Sequence, residues 1–473
     1  MKIGRAFCVT AFLALGALSL ASLYARPDKA NELYLESCAS CHGSKFEGGL
    51  GGHLADGLWM HGESDQAIAR VISQGLPDLG MPAFEKTLSS EQIRSLVVFL
   101  REKEKSTKTQ SSPPPQPKDG NTVKSLEQSY KVETVIGADL TTPWSLAFLP
   151  DGRRLVTERP GALRIVDSDG NLLPEPVAGT PQVIELGQGG MLDVAVYPDF
   201  PRDGWIYLAF AEPLEGDKKR AMLKIVRGRI RDHSWADEQV VFQASPDFYT
   251  SAGVHFGTRM VFDGGYLYFI VGERGGMLQA QDITRPNGKI YRVFPDGGIP
   301  EDNPFAADKK AIPGIWSYGH RNPQGLAIDP RDHAIYATEH GPRGGDEFNL
   351  IRKGANYGWP VVSHGMNYDG TPLTGFTEKE GMEQPLLHWT PSIAACGLAC
   401  YTGDKFPNWK YDFFAGGLRG ELHRIRVKNG KVEGDEILLS GLGRIRDVRT
   451  GPDGFLYIVL NQPDRIVRLV PAE

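Results

Sequence analysis

Two cysteines and a histidine near the start of the chain have the spacing of a cofactor attachment site. Cys38, Cys41 and His42 form a C-x-x-C-H motif within "YLESCASCHGSKFEGG". In such a motif the two thiols add to the vinyl groups of a haem, and the histidine becomes the proximal iron ligand. A thioredoxin-like motif would need a βαβ context, and a zinc site would need a second pair of ligands. The motif therefore predicts a covalently bound haem c.

A second iron ligand is expected further along the chain. "QGLPDLGMPAF" places Met81 in a Gly-Met-Pro loop just before a predicted helix. The unit resembles a class I cytochrome c, whose methionine ligand lies in such a loop and raises the potential of the iron. We predict Met81 as this ligand, with Met60, His53 and His61 as alternatives. A single haem stores one electron and performs no substrate chemistry, so the electrons must come from elsewhere in the chain.

Several later loops carry residues that could bind an anion, move a proton or hold a metal. Clustered arginines favour a rigid anion with several carboxylates, which guanidinium groups bind in a forked geometry. Backbone carbonyls at Gly341 and Pro342 would be good oxygen ligands for calcium. Taken singly, an arginine is more often a surface ion pair and a Gly-Gly pair a turn. The loops contain Gln188, His255, Arg321, Asn322, His340 through Asp346, Arg419, Arg444 and Arg446.

These loops recur within a repeated pattern of strand, tight turn and strand. Copies begin at Leu146, Asp193, Met260, Leu326, Phe406 and Asp447, and Pro-Asp or Asp-Gly turns recur in them. Six copies are too many for one β-sandwich, whereas a ring of them forms a β-propeller. A propeller would gather loops from every repeat around a central channel. The sequence thus predicts a six-bladed all-β propeller behind a small all-α cytochrome c domain.

The rest of the chain divides around these two units. Residues 1–25 have the charged start, apolar run and small terminal residue of a cleaved signal peptide, with an uncleaved anchor as the alternative. The cytochrome c domain is predicted over 26–104, a proline-rich, semi-extended linker over 105–128, and the propeller over 129–473. A mature chain without a transmembrane segment, periplasmic or otherwise exported, is expected.

Charge and cysteine content exclude some classes of protein. A net charge of -6 leaves no basic patch, which argues against nucleic acid as a partner. Without Cys8 in the signal peptide, four cysteines remain, too few for a disulfide-built scaffold. Cys396 and Cys400 could pair in an oxidising compartment, but their spacing does not establish it.

From about Trp144 to its end the chain resembles the soluble quinoprotein glucose, aldose and sorbosone dehydrogenases. The resemblance rests on "GHRNPQGLA", "EHGPRGGDE", "GANYGWP" and the R-x-R-D of "GRIRDV", in matching order and spacing. Members of this family use pyrroloquinoline quinone (PQQ) with calcium. The resemblance therefore implies an enzyme that oxidises a sugar by hydride transfer to PQQ.

Individual roles follow from the same resemblance. His255 would be the general base for the anomeric hydroxyl of the sugar, a role suited to an imidazole with an ordinary pKa of about 6.5. Arg321 would stabilise charge on the quinone oxygen, with Asn322 beside it over the cofactor, and Gln188 would position the substrate or the base. Gly341 and Pro342 would offer carbonyls to the calcium. Further cofactor contacts are implied for His340, Asp346, Ser392, Arg419, Arg444 and Arg446.

Three positions depart from the family pattern. His340 stands where the glucose-oxidising members have glutamine, Leu387 where they have a tyrosine, and Arg419 in place of a lysine. The first two weigh against specificity for glucose. The expected activity is oxidation of an aldose to its lactone, with electrons leaving through the haem to a downstream cytochrome or a terminal oxidase.

Two other classes of protein remain as alternatives. A propeller without its cofactor could be a haem-bearing binding or scaffold module. A calcium-dependent lactone hydrolase would need carboxylates and asparagines converging on the metal, and it would leave the haem without a role.

Overall fold

The computed structural model describes residues 28–472. The predicted signal peptide, including Cys8, lies outside the described residues. Within residues 28–472, no helix is both long enough and apolar enough to cross a bilayer.

The N-terminal unit is helical, as predicted. Its helices are α1 (Lys29–Ser37), α2 (Ala39–His42), α3 (Asp65–Gln74) and α4 (Ser90–Ser111). Ser89 caps α4 through the backbone N–H of Gln92, whose side chain accepts from the Ser89 backbone in return. The helices enclose an apolar core that includes Tyr34, Phe46 and Phe99.

Helix α4 extends beyond the boundary that the sequence predicts. The polar segment after residue 104 continues the helix to Ser111, and regular structure resumes with a short strand at Val123. Between α4 and β1, only residues 112–122 contain neither helix nor strand. Even there the chain is bound to the propeller, because Ser440 donates a backbone hydrogen bond of 2.7 Å to Pro115. The charged residues that resemble a solvated linker are thus the last turns of a helix.

The remainder of the chain forms six antiparallel sheets, which confirms the predicted six-bladed propeller. Short β-rich runs separated by tight turns pair with their neighbours in sequence, so each blade is a meander. The strands are β1 (Val123–Lys124), β2 (Ser129–Ile136), β3 (Pro143–Phe148), β4 (Arg154–Glu158), β5 (Leu163–Val166), β6 (Met191–Val196), β7 (Ile206–Leu214), β8 (Asp217–Arg231), β9 (Ser234–Gln243), β10 (Met260–Asp263), β11 (Tyr266–Val271), β12 (Lys289–Val293), β13 (Ile315–Tyr318), β14 (Pro323–Ile328), β15 (Ile335–Glu339), β16 (Asp346–Ile351), β17 (Leu387–Trp389), β18 (Ala395–Cys400), β19 (Phe413–Gly417), β20 (Leu422–Lys428), β21 (Lys431–Leu439), β22 (Arg444–Thr450), β23 (Leu456–Asn461) and β24 (Arg465–Pro471). A one-turn helix, α5 (Phe200–Asp203), lies between β6 and β7.

The ring is closed by strands from both ends of the propeller sequence. Blades 1 to 5 are β3–β5, β6–β9, β10–β13, β14–β17 and β18–β21, and blade 6 is β22–β24 completed by β2 and β1. In the closing pair, Val132 lies opposite Leu469. Each blade begins with its inner strand, and consecutive inner strands contact one another around the whole ring. Apolar side chains between the blades form the core.

The inner strands are bulged where they face the channel. In five of the six blades the register between the first and second strands shifts by a residue or more. In this way Trp144, Gln324 and Arg446 each fall between two paired residues and have no partner on the neighbouring strand. A bulge turns side chains away from the normal alternation. Consecutive residues of one strand can therefore reach the same channel.

One copy of the repeat begins earlier than its sequence suggests. The segment from Phe406 supplies the second and third strands of blade 5, whereas its inner strand is β18. Cys396 and Cys400 both lie on β18 and are free thiols. Four residues along one strand separate them by about 13 Å, too far for a disulfide.

Candidate active site

Two arginines in the propeller channel are paired with two aspartates. Arg259 Nη1 lies 2.8 Å from Asp193 Oδ1 and 3.2 Å from Asp447 Oδ1. Arg449 lies 3.0 Å from the carboxylate of Asp193 and 2.9 Å from that of Asp447. Ser145 donates a further hydrogen bond of 2.7 Å to Asp193. These five residues, which we call the closed network, come from four blades and balance two positive charges with two negative ones.

A second group of arginines has no such compensation. Arg321 donates to the carbonyl of His340 and lies 3.4 Å from the hydroxyl of Tyr368. Arg446 donates to the side-chain oxygen of Gln324, 3.1 Å away. None of these partners is a carboxylate, and the buried Nε atoms of both arginines have no hydrogen-bond partner among the described residues. We call Arg321, Arg446 and the nearby Arg444 the open group.

His340 lies within the electrostatic reach of the open group. Burial, followed by the charges of Arg321 and Arg446, lowers its pKa well below the ordinary value, and His255 and Arg444 act in the same direction. Its ring is therefore neutral. Its buried Nε2 also has no partner within residues 28–472. A neutral imidazole and at least two guanidinium groups thus share one region with unused hydrogen-bonding capacity.

His255 is held by a carboxylate that the sequence analysis did not single out. Its Nδ1 contacts Glu273 Oε1, and the other oxygen of Glu273 accepts the backbone N–H of Met277 at 2.5 Å. The carboxylate fixes Nδ1 as the protonated nitrogen and leaves Nε2 as the free base. Burial lowers the pKa of His255, and Arg321 lowers it further, while Glu273 opposes both effects. His255 is therefore a neutral, oriented base at neutral pH.

Two predicted residues support the loop that carries His255. Gln188 accepts the backbone N–H of His255 at 2.9 Å. Asn322 is buried, and its side-chain oxygen accepts the N–H of Gly257 at 3.0 Å. A side chain at Gly272 would collide with the carbonyl of His255, so only glycine allows this close approach. These contacts hold His255 beside Arg321.

The side chains of Asp346 and Ser392 form hydrogen bonds with other residues of the protein. One oxygen of Asp346 accepts the N–H of Gly341 at 2.8 Å, and the other accepts Ser392 Oγ at 3.0 Å and the N–H of Ala395. The carboxylate therefore ties two loops together, and its predicted contact with a cofactor stays a prediction. Its buried position raises its pKa. The role of Ser392 as a cofactor contact stays a prediction.

The predicted calcium ligands lie in a tight turn after β15. A side chain at Gly341 would meet the carbonyls of Gly344 and Gly345, so the turn requires a glycine. Within residues 28–472, neither the Gly341 nor the Pro342 carbonyl accepts a hydrogen bond. No cluster of three or more histidine, cysteine or carboxylate side chains suited to a metal occurs in this part of the chain. The donors available here are backbone oxygens.

Arg419 and Tyr368 are both exposed. Arg419 is exposed, and its backbone N–H donates to Ile393 in the loop of Ser392. Its role as a cofactor ligand stays a prediction. Tyr368, which contacts Arg321, is 71% exposed and was not identified from the sequence, because a lone tyrosine in a long insertion carries no chemical pattern.

The haem-motif residues share one short helical turn. Cys38 precedes α2, and Cys41 and His42 lie in it. His42 Nδ1 donates to the carbonyl of Gly52 at 2.8 Å, which leaves Nε2 free to bind iron. A side chain at Gly51 would lie within 3 Å of the His42 ring. The Gly51–Gly52 segment thus holds the imidazole in one orientation, as an iron ligand requires.

Met81 lies on the same apolar cluster as Cys38. Leu76 and Met81 exchange backbone hydrogen bonds of 2.9 and 3.1 Å around a 3₁₀ turn. The side chain of Met81 is partly buried against the cluster, whereas Met60 is 90% exposed. This geometry favours Met81 over Met60 as the second iron ligand, which stays a prediction.

Comparison with known proteins finds a matching family model for each of the two units. Residues 140–468 match the model of the glucose/sorbosone dehydrogenase family. The chain belongs to this family. Residues 25–100 match the model described as cytochrome c oxidase, cbb3-type, subunit III, which confirms the cytochrome c domain. The expected enzyme class, a sugar dehydrogenase that acts on CH–OH groups, is confirmed by this membership.

Three relatives illustrate the similarity of the propeller. The aldose sugar dehydrogenase YliI of Escherichia coli is 44% identical over 336 residues, which are 69% of this chain and 89% of the relative. A crystal structure of a glucose dehydrogenase is 42% identical with a TM-score of 0.69, over 72% of this chain and 100% of the other. The PQQ-bound aldose sugar dehydrogenase of Streptomyces coelicolor is 29% identical with a TM-score of 0.59, over 74% and 99% of the two chains.

Proposed function

We propose that this protein is an exported, periplasmic quinohaemoprotein. It oxidises an aldose at the anomeric carbon to the lactone, with PQQ as the first electron acceptor and the attached haem c as the second. The open group of arginines beside the His255–Glu273 pair is the single observation that carries this proposal. The electrons then leave to another cytochrome or to a terminal oxidase.

The residues present suit a rigid polycarboxylate quinone. Arg321, Arg444 and Arg446 lie around the neutral ring of His340, and no carboxylate in the described residues pairs with the guanidinium groups of Arg321 and Arg446. Buried polar atoms without partners are costly, so they mark positions where a ligand supplies the missing contacts. The unpartnered atoms are Arg321 Nε, Arg446 Nε and His340 Nε2. When bound, PQQ supplies an electrophilic carbonyl that accepts the hydride of the anomeric carbon.

His255 removes the proton of the anomeric hydroxyl. Its Nε2 is the free base because Nδ1 faces Glu273, and the lowered pKa keeps the ring neutral at neutral pH. After it accepts the proton, the adjacent carboxylate stabilises the imidazolium. Gln188 keeps the His255 backbone in place. A general base of this kind contributes about 10²- to 10⁴-fold to the rate.

Arg321 provides positive charge at the point where negative charge develops. Its guanidinium lies 5.2 Å over the ring of Trp359 and donates to the His340 carbonyl, which fixes its orientation before the substrate arrives. Fixed charge in a site shielded from water stabilises a transition state without reorganisation. The free carbonyls of Gly341 and Pro342 would hold a calcium ion near the same place.

The decisive experiment is stopped-flow spectroscopy of the protein reconstituted with PQQ and calcium. A panel of aldoses and simple alcohols is mixed with the enzyme while the haem absorption bands are recorded. Aldoses are expected to reduce the haem, and analysis of the product should give the lactone. Absence of sugar-dependent reduction of both the haem and an added dye would favour the scaffold alternative, and lactone hydrolysis without haem reduction would favour the hydrolase.

A variant tests the base. His255→Ala should lower haem reduction by sugar about 10²- to 10⁴-fold while PQQ binding stays largely intact. His333→Ala is the matched control, because His333 is exposed and pairs with Asp263 in another part of the propeller. Near wild-type turnover in His255→Ala would remove this residue from the base role.

A further inference from the structure

One face of α4 lies against the propeller. Residues four, four and three apart on a helix share a face, and this spacing joins Arg94, Val98, Glu102 and Lys105. Arg94 donates to the carbonyl of His364 at 2.5 Å, and Lys105 lies 3.4 Å from Glu421. A side chain at Gly344 would meet Val98 at 3.1 Å. The cytochrome unit is therefore docked along a large part of its longest helix.

Arg343 is the central polar contact of this docked surface. Its guanidinium makes two hydrogen bonds of 2.9 Å to Asp28 and others of 2.6 and 2.9 Å to Glu102. Forked, charge-assisted contacts of this kind are the strongest hydrogen bonds between side chains. The two carboxylates raise the pKa of Arg343, as expected for a guanidinium paired with both. Arg343 directly follows Gly341 and Pro342 in the sequence, so this contact adjoins the proposed calcium site.

Met366 is the central apolar contact. It exchanges backbone hydrogen bonds of 2.9 and 3.0 Å with Arg343, yet its side chain is fully buried in the apolar cluster of the cytochrome unit. Cys38 and Met81 pack against the same cluster. A packed and bonded route therefore leads from the turn at Pro342 to the residues that hold the haem.

We propose that the cytochrome unit takes electrons from this one docked pose, held by Arg343 and Met366, and does not swing on its tether. The inference rests on the proposed function, because it concerns how electrons reach the haem. Undocking would expose Met366 and leave Arg343 without either carboxylate. The connection also has little slack, since α4 runs to Ser111 and Pro115 is bound to Ser440.

Lengthening the tether separates the two mechanisms. An insertion of flexible residues after Ser112, about as long as segment 112–122, would lower the effective concentration of a swinging unit roughly threefold, because this falls as about the −3/2 power of tether length. If the unit is docked, its haem should be reduced at the same rate as in the wild type after sugar is added. A threefold slowing in the otherwise unaltered protein would overturn the proposal.

Breaking the docked contact should make the rate of haem reduction depend on the length of the tether. Asp28→Asn combined with Glu102→Gln removes both carboxylates from Arg343, and asparagine caps α1 as well as aspartate does. We expect slower haem reduction, a further threefold loss on tether lengthening, and a larger maximum dimension in small-angle scattering. Sugar-dependent reduction of an external dye at the quinone should continue, and the haem spectrum should be unaltered.

A control of equal charge accompanies the double variant. Glu32→Gln with Glu36→Gln removes two carboxylates from the same unit. Within residues 28–472, Glu32 pairs only with Lys29, and Glu36 is exposed. This control should keep wild-type scattering and wild-type haem reduction. If the Asp28/Glu102 variant also keeps both, the proposal fails. If the wild type reduces neither dye nor haem with any sugar, the proposed function fails, while scattering still reports whether the unit is docked.

Discussion

The closed network and the open group use the same residue type for opposite purposes. Arg259 and Arg449 share the carboxylates of Asp193 and Asp447, whereas Arg321 and Arg446 have only neutral partners among the described residues. Both groups lie on or next to inner strands of the propeller. The difference lies in what the neighbouring blades supply. Where aspartates are present, arginine joins the blades; where they are absent, it remains available to an anionic ligand.

The comparison has an energetic consequence. A buried charge is tolerated when it is paired, and removing one partner of a buried pair costs far more than the pair contributes. Arg321 and Arg446 carry a cost in the free protein that a bound anion would offset. We therefore expect substitutions in the two groups to affect different quantities: stability for the closed network and ligand affinity for the open group.

The largest effect is expected from Asp193→Ala. It leaves Arg259, whose side chain is fully buried, and Arg449 to share one carboxylate. We expect the free energy of unfolding of the cofactor-free propeller to fall by about 3–5 kcal/mol. Urea unfolding followed by tryptophan fluorescence measures this change. Arg446→Gln is the matched substitution in the open group and should cost little or slightly stabilise the free protein, and an equal loss in both variants would contradict the distinction.

The affinity for PQQ, in contrast, should fall on substitution in the open group. Arg446→Gln removes a charged donor without a carboxylate partner, and a hydrogen bond to a charged group contributes about 1.5–3 kcal/mol. The dissociation constant for PQQ should rise about 10- to 100-fold in calorimetric titration of the cofactor-free protein. Binding as tight as in the wild type would show that Arg446 is not a ligand of the quinone.

The smallest expected effect concerns pH. The base must be unprotonated, so kcat/KM rises with pH up to the pKa of His255, which burial holds below its ordinary value of 6.5. Glu273 opposes this lowering, so Glu273→Gln should move the acidic limb to still lower pH. The plateau should fall about tenfold, since the imidazolium loses a hydrogen bond to a charged group that contributes about 1.5 kcal/mol or more. A limb that moves to higher pH would contradict the assignment, and pH profiles of both proteins give the answer.

Much of the architecture could be predicted from local patterns. The capping residues of α4, the C-x-x-C-H motif and the strand–turn–strand copies each depend on residues close together in sequence. The inner strand of blade 5 was missed because "AACGLAC" is dominated by small residues and cysteines. The true end of α4 was missed because charged helix turns and solvated linkers have similar composition.

The site was only partly predictable. His255, Arg321 and Arg446 could be named because their motifs resemble a known family. Glu273 gave a weak indication, as an acidic residue in a glycine-rich loop just after a strand.

The sequence by itself determined the haem attachment motif, the six repeats and the family, because each is written in short motifs and regular spacing. Only the tertiary structure decided which arginines are neutralised and which remain open, since Asp193 and Asp447 reach Arg259 from other blades. It also decided that the cytochrome unit is docked, because Arg343 meets Asp28 and Glu102 across more than 200 positions of sequence. Long-range pairing depends on how bulged strands and blades are arranged in space, and no local pattern encodes that arrangement.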